Sequence, residues 1–343
     1  MSMPDFSSEK GYTLVEILVV IVILAIVSAG ITTVFITGLT EYGVREVTIR
    51  MQQQARLAMY DLERELKLAG YGFMDFGNLK INVYSKSANA VVSWAIVEAN
   101  SVTGAASNTD SILIRYQTVD PATVPDVTIA TNHPDSSVNT PVSDASGFAQ
   151  GDLFFIYDPT DLTKPASMLQ VSTTPSSKND TLKHSSGSNW EYNPPNAGIN
   201  IFPPGGYGVG CKVVNLSTLG VKWVQYHVDS NSNLIKESST APQAHIVATG
   251  IEDLQIRYQF KDGVWLNAPV KDDANHDINN LRALKVSIIA RTANPDPRYG
   301  GSQPFQLTGP QGDGVVYSGG GYRRMTMSST ISLRNLVMRD KLQ

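Results

Sequence analysis

Cysteine is almost absent from this sequence. Its 343 residues include one, Cys211, so neither an intramolecular disulfide nor a cysteine-rich zinc site can form, and a buried small hydrophobe is the expected role of that thiol. Charge is also scarce. Asp, Glu, Lys and Arg make up 17% of the chain, with 27 basic against 31 acidic residues and a formal charge of -4, so no global basic field is present to hold nucleic acid. The 42% of apolar residues, set against so little charge, excludes a disordered chain. The five histidines, His133, His184, His227, His245 and His276, are scattered and form no H-E-x-x-H or H-x-x-x-H pair, which leaves metal and triad chemistry unsupported. Gly206, Gly208 and Gly210 alternate but fail the G-x-G-x-x-G pattern and lead into a strand instead of a helix, so they read as a loop. No catalytic spacing is present, and the chain reads as a non-enzyme without a cofactor.

What is present begins at the N-terminus. Between Glu16 and Glu41 lie 24 residues without a charge, opening with the wholly apolar run from Ile17 to Val27, long enough to span a bilayer as a helix. A short polar leader ending in Lys10 and Gly11 precedes it. A secretory signal would place cleavage after the apolar stretch, but the pattern there continues as a helix, so a retained membrane helix fits better. Glu16 stands just inside the apolar segment, where a carboxylate at the bilayer centre would cost roughly 2.5–3.5 kcal/mol. Near a helix N-terminus the dipole would favour it.

Gly11, Tyr12, Thr13, Leu14, Val15 and Glu16, followed by the aliphatic run, resemble the class III signal of type IV pilins and type II secretion pseudopilins. The resemblance implies that a prepilin peptidase cuts between Gly11 and Tyr12 and methylates the new amine of Tyr12. It further implies that Glu16 meets that amine in a neighbouring filament subunit. A charge persists in an apolar setting when it is paired, and an α-amine with a pKa of about 7.7–8.0 is cationic at neutral pH. The leader carries Asp5 and Glu9 beside its lone Lys10, so positive-inside bias is weak. No proline occurs between Pro4 and Pro121, so the proline-linked kink of many major pilins is not expected.

From Glu41 to Ala69, apolar residues fall at Val44, Val47, Met51, Ala55, Ala58, Leu62 and Leu66, the spacing of one helical face. Gly70 and Gly72 supply the stop. A continuous helix from Tyr12 to Ala69 would extend about 87 Å. Its first half reads as membrane or filament core and its second half as packing on the chain's own sheet. Beyond Gly72 the signal changes to β-rich runs. Candidate strands are Val91–Glu98, Ser111–Gln117, Asp152–Tyr157, Met168–Ser172, Gly208–Leu216, Val221–Val228, Asp253–Phe260, Leu284–Arg291 and Arg324–Leu333, separated by long polar loops at 120–148, 173–206 and 293–321. A soft division near residue 207 is conceivable, with one continuous sheet domain the simpler reading.

The blocks at 250–260, 283–291 and 322–336 resemble those of PilW-type minor pilins, with the J-type minor pseudopilins of type II secretion a related group. The fold implied is α+β and type IV pilin-like, a long N-terminal transmembrane and amphipathic helix packed on a mostly antiparallel β-sheet head. The expected divisions are a leader at 1–11, a membrane or filament-core helix at 12–40, an amphipathic helix at 41–70 and a β-rich head at 71–343. The implied function is that of a minor pilin, a structural and assembly-initiating subunit near the pilus tip. Type II secretion pseudopilin is the alternative, with an anchored exported enzyme or a DNA-uptake pilin further behind. Implied partners are other minor pilins, the major pilin, the prepilin peptidase, the inner-membrane assembly platform and a tip adhesin, with no nucleic acid. The implied location is the bacterial inner membrane, head periplasmic, before assembly and the surface pilus afterwards.

Two acidic clusters resemble cation loops. Asp273, Asn275 and Asp277 have the D-x-N-x-D spacing of calcium loops, but Ile278 stands where the turn glycine belongs and Leu284 where the bidentate Glu belongs. They are kept as calcium candidates, with no metal expected. Asp229, Asn231 and Asn233 repeat the spacing where a plain hairpin turn explains them.

Overall fold

The computed structural model describes residues 11–73, 81–100, 105–119, 125–161, 164–175, 180–185, 190–195, 199–270, 273, 275–296, 299, 305–306, 316–317 and 320–337. The chain divides into two compact units, Met1–Arg50 and Met51–Gln343. One helix, α1, runs from Leu14 to Leu66 over 53 residues, uninterrupted because no proline or β-turn signal falls within it. It stops in a turn where Gly70 and Gly72 take φ of 74° and 78°, left-handed values that a side chain resists. A Cβ on Gly70 would also collide with the Leu336 side chain.

Nineteen strands follow among the described residues. The first nine are β1 (Ile81–Ser85), β2 (Ala90–Trp94), β3 (Val97–Ala99), β4 (Ile112–Gln117), β5 (Val127–Thr128), β6 (Asn139–Pro141), β7 (Leu153–Tyr157), β8 (Ala166–Gln170) and β9 (Thr181–Lys183). Next come β10 (Lys212–Asn215), β11 (Val221–Val228), β12 (Asn233–Ser238), β13 (Ala241–Thr249) and β14 (Ile251–Phe260). The last are β15 (Trp265–Leu266), β16 (Leu281–Arg291), β17 (Phe305–Gln306), β18 (Val316–Tyr317) and β19 (Arg324–Ser332). They form a six-stranded sheet in the order β2-β1-β8-β7-β10-β5, a five-stranded sheet β13-β12-β11-β4-β3, a four-stranded sheet β15-β14-β16-β19, and the small pairs β17-β18 and β6-β9. Every pairing is antiparallel except β1 with β8.

The unit Met51–Gln343 thus holds three principal sheets. β10 pairs with β7, so the chain on either side of residue 207 shares a sheet. The expected strand Val91–Glu98 is broken at Ala95 and Ile96 into β2 and β3, which join different sheets. The expected loops 120–148 and 173–206 contribute β5, β6 and β9.

The main core packs the C-terminal turns of α1, through Met51, Ala55, Ala58, Leu62 and Leu66, with Leu254 and Ile256 of β14 and Val286 and Ile288 of β16. A second core lies on the other face of the six-stranded sheet and includes Phe148, Phe154, Ile156, Tyr207 and Cys211. β7 feeds both: Phe155 and Tyr157 enter the main core while Phe154 and Ile156 enter the second. A strand buried on both faces has no reason to alternate, which is why its sequence is apolar throughout.

A polar clasp fixes the rotation of α1 within this unit. Lys236 Nζ on β12 lies 2.9 Å from Glu65 Oε1 and 3.2 Å from Asp61 Oδ2, and the Tyr226 hydroxyl on β11 donates to Asp61 Oδ2 at 2.6 Å. Arg64 covers the same two carboxylates from the solvent side. Each charge is therefore paired, the condition on which partly buried carboxylates persist.

Candidate functional site

Thr13 and Glu16 build the start of α1. Thr13 is the cap residue: the Glu16 backbone N–H donates to its Oγ1 at 3.3 Å, while the Thr13 N–H and hydroxyl both donate to Glu16 Oε2 at 3.0 Å. This is a reciprocal capping box, in which the Glu16 carboxylate and the Thr13 hydroxyl oxygen each satisfy one amide that the start of the helix leaves open. Glu16 therefore has hydrogen-bond partners within its own chain. Sequence reasoning saw the dipole but not Thr13, although the T-x-x-E spacing is its signature.

Gly11 lies outside the helix, and a Cβ there would meet nothing within 4 Å. Among the described residues, nothing close to Gly11 requires a glycine there. Tyr12 and Leu14 are 85% and 82% exposed, and the aliphatic side chains from Ile17 to Leu39 are exposed as a group. This helix is long and apolar enough to cross a membrane, with none of that apolar window buried. In water such a surface would be among the largest apolar patches a soluble chain could carry, so it calls for lipid or other helices.

Asp273 and Asp277, two of the calcium candidates, make hydrogen bonds to neighbouring backbone amides. Asp277 turns inward and caps the 3-10 turn Ile278–Asn280, accepting from the Asn279 and Asn280 amides. Asp273 accepts from the Asn275 amide at 2.8 Å and contacts His276 Nδ1 at 2.8 Å, while His276 Nε2 lies 2.9 Å from Asp262 Oδ2. The hydrogen bond with His276 holds the Asp273 carboxyl below its usual range and raises the imidazole in return. Among the described residues, no group of three or more His, Cys, Asp or Glu side chains is placed to hold a metal. At the other cluster, Asp229 Oδ1 accepts from the Asn231 and Asn233 amides at 2.9 and 2.8 Å, closing the β11–β12 hairpin as a plain turn. Cys211 is buried in the second core.

One pair escaped the sequence. His133 and His184 are brought together with ring centroids 5.7 Å apart beside Phe202, in segments that carry no periodic signal.

Comparison with known proteins separates the two ends of the chain. Residues 6–32 match the Prokaryotic N-terminal methylation motif, which spans Gly11, Tyr12 and Glu16. Residues 223–335 match the family described as Type IV Pilus-assembly protein W, which spans β11 to β19. No curated protein matches the chain. Among solved structures, a type IV-like pilin from Thermus thermophilus aligns over 84% of this chain and 98% of its own at 13% identity, with a TM-score of 0.36. Both matches are to pilus-type sequences, and a helix long and apolar enough to cross a membrane accompanies them. The resemblance read from the sequence therefore stands at both ends: the chain carries a prokaryotic N-terminal methylation motif at 6–32 and is similar to PilW-type minor pilins of the type IV pilus over residues 223–335 of its head.

Proposed function

We propose that the protein is a minor pilin that enters a type IV pilus near its tip and helps to start assembly. The observation that carries this reading is the exposed aliphatic surface of α1 beginning at the capped Glu16. Once drawn from lipid, that surface needs neighbouring helices with similar faces, and van der Waals packing between them replaces the lipid contacts. On this reading the Gly11–Tyr12 bond is cut, which accounts for a glycine that no described neighbour requires. The amine of Tyr12 in an adjacent subunit then joins the Thr13 donors around Glu16. The head of residues 71–343 faces the periplasm before assembly and the exterior afterwards. Its bulk and long loops suit a subunit present in few copies at an end of the filament, where neighbours crowd it least.

The test is incorporation. Sheared filaments from cells carrying the wild-type chain should contain it, co-purifying with other minor pilins and labelled by immunogold at filament ends. With Glu16→Ala the membrane-embedded precursor should stay abundant while filament incorporation falls at least ten-fold. Uniform labelling along filaments would refute the tip position, and normal incorporation of Glu16→Ala would refute the role of the carboxylate.

A further inference from the structure

A cleft of about 790 Å³ opens in the head among side chains of the six-stranded and five-stranded sheets, a size usual for small-molecule sites. The filament role proposed for α1 does not call on it. Trp94, Tyr192 and Trp223 supply aromatic walls, and Glu98, Arg115, Glu191 and Lys222 supply the charges. Arg115 on β4 stands directly opposite Trp223 on β11, and its guanidinium lies 4.4 Å from the centroid of the Trp94 ring. Arg115 Nη1 donates to the Ala95 carbonyl and to Glu98 Oε1, and Glu98 Oε1 also accepts from the Ala95 amide at 3.2 Å. The cation, the carboxylate and the indole are therefore fixed as one unit.

This unit is only half used. Those bonds engage one guanidinium nitrogen and one carboxylate oxygen, while Nε and Nη2 of Arg115 and Oε2 of Glu98 make no hydrogen bond among the described residues. The side chains are 11% and 22% exposed, so solvent reaches the unit through the cleft. Open donors beside an open acceptor complement a vicinal diol, in which each hydroxyl both donates and accepts. The four charges cancel, two against two, so a ligand of high net charge gains nothing from the cleft. Aromatic side chains accept the C–H faces of a pyranose ring while the rim satisfies its hydroxyls.

We propose that this cleft binds a neutral saccharide, with the Arg115–Glu98 pair engaging two adjacent hydroxyls and Trp223 and Tyr192 carrying the apolar faces of the sugar rings. The assignment does not depend on the pilin reading, since it would hold for the same head in any setting.

The test uses the full chain in a zwitterionic detergent, because glycosidic detergents would occupy the cleft. Cellotetraose, chitotetraose, maltotetraose and mannotetraose are titrated in turn while tryptophan fluorescence is followed, with tetragalacturonate and tetra-alanine as the charged-sugar and peptide probes. A saturable change is expected with at least one neutral tetrasaccharide. Trp223→Ala and Glu98→Gln should each weaken it at least ten-fold with unchanged far-UV circular dichroism, and Asp262→Asn, outside the cleft, should leave it intact. No saturation with any of the four neutral sugars would overturn the proposal. So would saturation that Trp223→Ala and Glu98→Gln both leave unchanged, or tighter binding of tetragalacturonate or tetra-alanine.

Discussion

His133 and His184 show how burial sets a chemical property that their sequence positions do not announce. Neither ring nitrogen of His133, nor Nε2 of His184, meets a hydrogen-bond partner among the described residues. Burial strips hydration from a charged imidazole and pushes both pKa values down, that of His184 to about 3, with repulsion from His133 adding to the shift. An unfolded histidine titrates near ~6.5. Between those values the unfolded chain binds protons that the folded chain refuses. The stability contributed by the pair is thus complete above about pH 6.5 and is lost as pH falls toward 3. Thermal unfolding of the full chain measured from pH 7 to pH 4 should show a falling midpoint, and His184→Leu should make that fall shallower. Carboxylates contribute a slope of the same sign, so the difference between the two proteins is diagnostic, and identical slopes would contradict the account.

At the scale of elements, α1 carries two designs in one helix. From Met51 onward, Ala55 and Ala58 are fully buried, which lets the helix backbone approach the sheets closely. A larger side chain has no room there. Ala58→Leu is expected to destabilise the head by about 1–3 kcal/mol through overpacking, measured as a lower denaturant midpoint, while Tyr60→Ala on the exposed side should stay within about 0.5 kcal/mol. No change for Ala58→Leu would mean that the face is not packed as described. This helix was legible because three- and four-residue spacing persists over many turns without proline. β7, β11 and β16 were legible through dense β-branched and aromatic runs. β5, β6 and β9 are two or three residues long, too short to establish a period, and tertiary pairing alone makes them strands. β13 escaped because most of its side chains, including His245 and Ile246, are exposed, so no buried face imposes alternation.

For the whole molecule, legibility tracks sequence distance. Gly11, Tyr12 and Glu16 fall within six consecutive residues, so their pattern can be read directly. The Arg115, Glu98 and Trp223 constellation is assembled from β3, β4 and β11, and nothing in the chain marks those residues as neighbours before the sheet forms. Family matches at 6–32 and 223–335 leave the intervening chain, with most of the cleft, to be read from the structure. The account's central claim is that the apolar half of α1 is a processed filament helix and not a plain anchor. Intact-mass and N-terminal peptide mass spectrometry of the protein recovered from membranes and sheared filaments tests it most directly. The account predicts a mature chain beginning at an N-methylated Tyr12, whereas an intact leader, or cleavage at residue 28 or beyond, would contradict it.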